Sequence, residues 1–451
     1  MKWVKWFYPG LKVKRWLFLA FLGTLLVSAG LSITNQVAFL GWIEGRIREF
    51  TFSLIGQRSS WLGGLLIVVV GLLMVMFGMK RMLQSLLGVL MPGTESELVD
   101  LIYQRRSLKK GPKIVVIGGG TGLSVLLRGL KNYTSNLTAI VTVSDDGGSS
   151  GRLRGELGVL PPGDIRSCLV ALADTETLMD EVLSYRFRQG KGLAGHNLGN
   201  LLLVGMSEIT GDFVKAIQEV SKVLAVRGRV LPSTLNQVVL CAELGDGTII
   251  EGETRITRAQ PPGSGGIKRV FLKPADCQPV PQAITAIEEA DAIILGPGSL
   301  YTSVLPNLLV QGIQEAVRRS RAGKFYVCNV MTQPGETEGY SAADHLRAIQ
   351  KHCGPGIVDY IIVNDQEVNR SLLRKYREKG AYPVRVDPKH LRELKVKVVS
   401  EHLLDETDLV RHDPVRLAQT IIKQVIKFKL GVDRHYFDDL YLVDEPGKFH
   451  K

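Results

Sequence analysis

Residues 113–166 constrain the fold of this 451-residue chain more than any other stretch. They open on K-I-V-V-I, a short β-branched run of the kind that forms a buried parallel strand. Gly118-Gly119-Gly120-Thr121-Gly122 follows at once, and Leu123, Leu126, Leu127 and Leu130 then recur at helical spacing. A strand that passes through a glycine turn into a helix begins a βαβ unit. The next apolar run, 138–143, supplies a second strand and ends on Ser144-Asp145-Asp146-Gly147-Gly148-Ser149-Ser150-Gly151. Pro161-Pro162-Gly163-Asp164 then leads into another helix.

The alternation continues. Helices are predicted over 165–173, 179–187, 198–209 and 415–429, and strands over 292–295, 324–330 and 358–364. The expected fold class is therefore α/β with a mainly parallel sheet. One region departs from it. Residues 237–244 and 248–256 flank Gly245-Asp246-Gly247 as a β-hairpin would, and with 268–272 they predict a small β-rich insertion. The five cysteines are odd in number and widely spaced, with no C-x-x-C, so small buried residues in a reducing compartment are expected, with neither a disulfide framework nor a zinc site.

The net charge of +12 is concentrated at one end. Residues 1–110 hold 14 Lys and Arg against 5 Asp and Glu, so +9 lies there and only +3 in the rest. Those cations flank two apolar runs, 16–33 and 61–79, and all five tryptophans lie in the first 61 residues. About 20 apolar residues cross a bilayer, and indole rings favour its interface. The expected organisation is a basic N-terminus (1–15), a two-helix transmembrane hairpin (16–79, helices near 16–36 and 60–79), a linker (80–112) containing a short helix, a main domain (113–430) and a tail (431–451). The loop between the helices carries little net charge, so the positive-inside rule places both termini and the main domain in the cytoplasm, anchored to the cell membrane. Membrane lipid is the expected partner of the basic excess, and nucleic acid is not.

Five loop segments could carry chemistry. Gly119, Gly120, Thr121 and Gly122 suit a phosphate, because glycine lets backbone N–H groups approach it and a helix N-terminus favours negative charge. Their spacing is neither a full dinucleotide fingerprint nor a P-loop, which weakens an NAD(P) reading. Asp145 and Asp146 suit ribose hydroxyls, Mg²⁺ or merely a capped turn, and Gly148, Ser149 and Ser150 offer donors to phosphate or sugar. Asp164 suits an N-cap or a ligand contact. His196 and Asn200, in G-H-N-L-G-N, suit a ligand contact or a structural hydrogen bond better than general-base catalysis. Gly296, Gly298 and Ser299 form a further strand-end loop, and such loops converge on ligands outside the carboxyl ends of a parallel sheet.

I-G-G-G-T-G-L, S-D-D-G-G-S-S-G-R-L-R, P-P-G-D-I-R, Y-R-F at 185–187, G-H-N-L-G-N-L-L-L, L-G-P-G-S-L-Y-T-S-V-L-P-N-L-L-V, C-N-V-M-T-Q-P-G-E-T and R-H-D at 411–413 occur in that order over roughly 113–430. Together they resemble the family that joins the gluconeogenesis-factor proteins (YvcK type) with the phospholactyl transferases of deazaflavin coenzyme synthesis (CofD type), and D-D-G-G-S-S-G with M-T-Q-P-G-E-T is closer to the first. The resemblance implies a Rossmann-like three-layer α/β/α domain. From the YvcK branch it implies binding of UDP-sugars and a role in carbon metabolism and cell-wall morphogenesis, with a homo-oligomer and cell-wall synthesis proteins as candidate partners. From the CofD branch it implies Mg²⁺-dependent transfer of a phospholactyl group; no cofactor is otherwise expected, and no catalytic residue is assigned. By motif, Gly118–Gly122 becomes the nucleotide loop, Asp145 and Asp146 the acids for metal or phosphate, and Arg411 a further nucleotide-sugar contact. The membrane hairpin departs from the usual soluble member, and Pro414 stands where some relatives carry threonine.

Overall fold

The computed structural model describes residues 14–35, 60–90, 107–174, 177–258, 265–405 and 409–430. The short helix expected in the linker and the tail 431–451 lie outside them. The chain divides into two compact units, Met1–Arg105 and Arg106–Lys451.

In the first unit α1 (Lys14–Asn35) packs against α2 (Ser60–Leu90). Glycine sets how closely. A Cβ on Gly23 would lie 2.7 Å from the Gly71 carbonyl oxygen, the reverse holds for Gly71, and Gly30 stands the same distance from Gly64. Small residues that bring helix backbones together are the usual packing device in lipid. The two helices are not alike in reach. Within α2, Gly63–Met82 provides 20 residues at a mean hydropathy of 2.2, long and apolar enough to cross a bilayer. The apolar stretch of α1, Arg15–Leu31, falls short of that length.

The second unit is built on a seven-stranded parallel sheet. Its strands are β1 (Ile114–Gly118), β2 (Leu137–Val141), β3 (Arg229–Pro232), β7 (Ala292–Leu295), β8 (Gly323–Val327), β9 (Tyr360–Asn364) and β10 (Lys397–Glu401), in the order β10-β9-β8-β7-β1-β2-β3. The chain enters at β1, moves outward through β2 to β3, then returns to β7 on the other side of β1 and moves outward again. This is the Rossmann-like arrangement the sequence predicts. Because parallel crossovers are right-handed, the two directions of travel place helices on opposite faces. β1, β2, β7 and β8 are buried along their whole length, which is why they read as unbroken apolar runs.

Helix α3 (Gly120–Leu130) follows β1 and packs on α5 (Gly163–Leu172) and on the closing helix Pro414–Leu430. Gly129 permits the second contact, since a Cβ there would fall 1.9 Å from the Pro414 carbonyl oxygen. Between them α4 (Gly148–Leu157) follows β2, and α6 (Leu198–Thr210) opens after His196.

The β-rich insertion is a three-stranded antiparallel sheet of β4 (Val239–Leu244), β5 (Ile249–Glu251) and β6 (Ile267–Lys273). Its second strand is shorter than expected. Gly252, at φ +94°, turns the chain into the single turn α7 (Glu253–Ile256). All five cysteines are buried and free.

Candidate functional site

The sheet order explains the site. β1 and β7 are neighbours from which the chain departs in opposite directions, the switch point at which open α/β sheets bind ligands. The Gly118–Gly122 turn and the Gly296–Ser299 loop therefore meet. A Cβ on Gly298 would lie 3.1 Å from the Gly119 carbonyl oxygen, and one on Gly122 only 2.7 Å from that of Pro297. Asn307 Nδ2 donates to the Gly118 carbonyl at 3.1 Å and locks the turn from below.

Beyond these loops lies a crevice of about 630 Å³. Thr121 and Gly122 from the first turn of α3, Gly298 and Ser299, Asn329 and Gln333 beyond β8, and Lys379, Arg411 and His412 line it. Among the sites expected from sequence, Thr121, Gly122, Gly298, Ser299 and Arg411 are brought together here. Arg411 belongs to a two-residue bridge with Leu404–Asp405. Beside it, burial pushes the His412 imidazole down to about 4, so the ring is neutral, and its Nε2 has no hydrogen-bond partner.

The remaining predicted residues gather on the β2 side of the glycine turn. Asp145 accepts from Gly147 N–H at 2.8 Å. Asp146 turns away from it, and its Oδ1 accepts from the backbone N–H and the hydroxyl of Thr254 at 2.8 and 2.6 Å. Asp146 thus caps α7 and ties the insertion to the domain; Gly252 allows this approach, since a Cβ there would meet Asp146 Oδ2. Asp164 is not the N-cap of its own helix, a position held by Pro162. It lies in the first turn and accepts from Gly120 N–H at 2.8 Å, so it caps α3 from 44 residues away.

Ser149 is buried at 3% exposure. Its Oγ accepts from Asn197 N–H and Asn200 Nδ2, both at 3.2 Å, and lies 3.2 Å from His196 Nδ1. His196 and Asn200 are therefore parts of the network that fixes the start of α4. Ser150 hydrogen-bonds Asp145, and Gly148, at φ +49°, has open space about it.

Two acids that sequence reasoning did not single out complete this region. Glu253 opens α7 and Glu336 lies beyond β8. Glu253 is within electrostatic reach of Asp145, Asp164, Glu336 and Asp146, and burial, reinforced by those charges, holds its carboxyl well above the usual range. Burial also pushes Glu336 up to about 7 and Asp164 up to about 6, and moves Asp145 upward. Glu336 is 4% exposed. Its Oε1 accepts from Gln333 Nε2 at 2.7 Å and from Thr302 Oγ1 at 3.2 Å, while Ser299 Oγ donates to Gln333 Oε1 at 2.7 Å. That relay joins the crevice to the acidic chamber. Glu253 Oε2 and Glu336 Oε2 are buried with no partner. A hard divalent cation takes such oxygens, yet among the described residues no three His, Cys, Asp or Glu groups stand in a metal-holding arrangement. The donor chemistry suits Mg²⁺, and the spacing does not.

The chain is similar to known proteins along most of its length. Residues 114–404 match the model of the family described as 2-phospho-L-lactate transferase CofD. A Nostoc protein, "Putative gluconeogenesis factor", is 50% identical over 425 residues, 94% of this chain and 92% of the relative. That match is too long to be confined to the main domain. The protein named "Gluconeogenesis factor" in Halalkalibacterium halodurans is 53% identical over 315 residues, covering 70% of this chain and 97% of its own length. A crystal structure of a Bacillus halodurans protein described as a member of the upf0052 family superposes with a TM-score of 0.67 at 52% identity, over 69% of this chain and 99% of that one. The chain belongs to the CofD family, on the branch of the gluconeogenesis factors.

Proposed function

We propose that this protein is a membrane-anchored regulator that binds a UDP-sugar at the cytoplasmic face and acts in carbon metabolism and cell-wall morphogenesis. The observation that carries the binding reading is the crevice at the switch point. The first turn of α3 and the cations Arg411 and Lys379 face one cavity of about 630 Å³, the size of a nucleotide-bearing ligand. Diphosphate oxygens would lie against Thr121, Gly122 and the Arg411 guanidinium, which forms a planar donor fork. Neutral His412 offers an acceptor for a base N–H or a sugar hydroxyl. Anchoring rests on the 20-residue apolar segment of α2 and on the Lys and Arg excess around the two N-terminal helices.

The test is titration of the full chain in detergent micelles with UDP-N-acetylglucosamine. Saturable binding, weakened about tenfold to a hundredfold by Arg411→Ala, is expected for a lost charge-assisted contact. Absence of binding at about millimolar ligand would remove the reading.

The acidic chamber favours a second reading, a CofD-type phospholactyl transferase. Asp145, Glu253 and Glu336 would have to move together before they could hold Mg²⁺, since among the described residues no three such groups stand in a metal-holding arrangement. It requires Mg²⁺-dependent loss of a nucleotide-linked donor in the presence of acceptor, and Asp145→Asn should abolish that loss.

A further inference from the structure

Beyond β8 and β9 a second cavity, of about 510 Å³, adjoins the crevice. Asn329 and Val330 line both, so a single thickness of chain separates them. Cys328, Asn329 and Val330 of the C-N-V-M-T-Q-P-G-E-T motif line it, and the rest of its lining belongs to no motif and to no part of the functional reading above.

Its walls are specific. Arg370 and Arg385 both line it, both are exposed, and neither guanidinium has a hydrogen bond or ion pair among the described residues. Their backbones are nonetheless fixed. Arg370 is the first residue of α8 (Arg370–Arg377), whose N-cap Asn369 accepts from Ser371 N–H at 2.9 Å. The Arg385 carbonyl accepts from Ala342 N–H at 2.9 Å, and Val384 N–H donates to the Val330 carbonyl at 2.9 Å. Asp365 and Glu367 line the same cavity, but Asp365 is engaged by Ser400 and His402 and neither carboxylate pairs with the arginines, so two guanidinium groups on held backbone remain to receive an oxyanion. The cavity is not purely cationic. Gln366 presents a buried Oε1 with no partner among the described residues, an acceptor that calls for a donor, and the exposed Glu367 beside it has no ion pair among them either. Leu373 and Val330 give it an apolar side. A simple anion would leave the buried Gln366 acceptor unmet, and a neutral polyol would leave the two arginines without an anion.

We infer that this cavity is a second metabolite site, built for a hydroxyl-bearing phosphate such as a sugar phosphate and separate from the nucleotide crevice. Phosphate pairs with Arg370 and Arg385, hydroxyls donate to Gln366 and Glu367, and the carbon face of the ring lies on Leu373 and Val330. The inference goes beyond the proposed function and does not rest on it.

Calorimetric titration of the full chain in detergent micelles tests this, with glucose 6-phosphate, glucose and inorganic phosphate as probes. Glucose 6-phosphate should bind saturably below about 1 mM, and the other two at least about tenfold more weakly. Arg370→Ala and Arg385→Ala should each weaken it about tenfold, with thermal unfolding unchanged. Gln366→Leu should weaken glucose 6-phosphate while leaving inorganic phosphate unaffected. Four results would overturn the site: no saturation by glucose 6-phosphate up to about 10 mM, equal binding of inorganic phosphate, undiminished binding in the double arginine variant, or loss of UDP-N-acetylglucosamine binding in parallel, which would mean one ligand spans both cavities. If UDP-N-acetylglucosamine never binds the wild type but glucose 6-phosphate does, the nucleotide-sugar reading falls and this one stands.

Discussion

Beyond β7 and β8 the sheet edge opens into a crevice lined by Lys379 and Arg411; on the β2 side of the glycine turn the edge closes over Asp145, Asp164 and Glu253, with Glu336 reaching them electrostatically from beyond β8. Both regions touch the same glycine turn, and their chemistry is opposite because their burial is. Arg411 is exposed and stays available to an incoming anion. The carboxylates are withdrawn from water, and burial raises the pKa of each. Asp164 marks the boundary. By accepting from Gly120 N–H it occupies one of the donors a phosphate would use, so an anion entering from the crevice meets the Thr121 and Gly122 end of the turn.

The largest expected effect comes from breaking that boundary. In Gly119→Ala the added Cβ would fall 2.5 Å from Asp164 Oδ2 and 2.7 Å from Thr142 Cγ2. Displacing Asp164 loses a charge-assisted bond and strains the turn, at about 2–3 kcal/mol. Chemical denaturation of the full chain, followed by the circular dichroism of the α/β domain, measures it, and an unchanged midpoint would mean that Asp164 does not guard the turn.

A smaller effect sharpens the electrostatic half of the comparison. A carboxyl with a raised folded-state pKa holds more protons than it does in the unfolded chain, so its contribution is fully favourable at low pH and is lost as pH rises through the folded value. For Glu336, near 7, the wild type should lose about 1 kcal/mol between about pH 6 and 8 relative to Glu336→Gln. His412, held down to about 4, has the opposite sign but acts below its ordinary value of 6.5, outside most of that window. Parallel unfolding curves for the two proteins across the window would contradict the buried assignment.

The smallest effect concerns Asp146. Thr254→Ala removes one of its two bonds from Thr254 and should cost about 0.5–1 kcal/mol, read as a small drop in melting temperature. If ligand affinity changes more than stability does, Asp146 belongs to the chamber and not merely to the cap of α7.

Most of the fold was legible because its signals are local. Unbroken apolar runs marked β1, β2 and β7, the glycine turn marked the start of α3, and the charge of 1–110 marked the helices as distinct from the rest. Where local reading failed, a distant group intervened. Residues 253–256 continue a strand-like pattern, but Gly252 and the cap supplied by Asp146, 108 residues away from Thr254, make them helical. His196 sits in a glycine-rich loop that looks like a ligand loop, and its Nδ1 is 3.2 Å from the Oγ of Ser149, 47 residues upstream.

The sequence by itself determined that strands end in glycine turns, that one turn opens a helix, and that the cations cluster around the apolar N-terminal runs, because each follows from neighbouring residues. Only the tertiary structure decided that β7 returns to the side of β1, bringing Gly298 against Gly119 and Arg411 to the same crevice. Only it separated Asp145 from Asp146, and added Glu253 and Glu336 to the acids around the turn. Strand order and burial are set by pairings between residues far apart in the chain, and a carboxylate's charge state depends on what the finished fold packs around it.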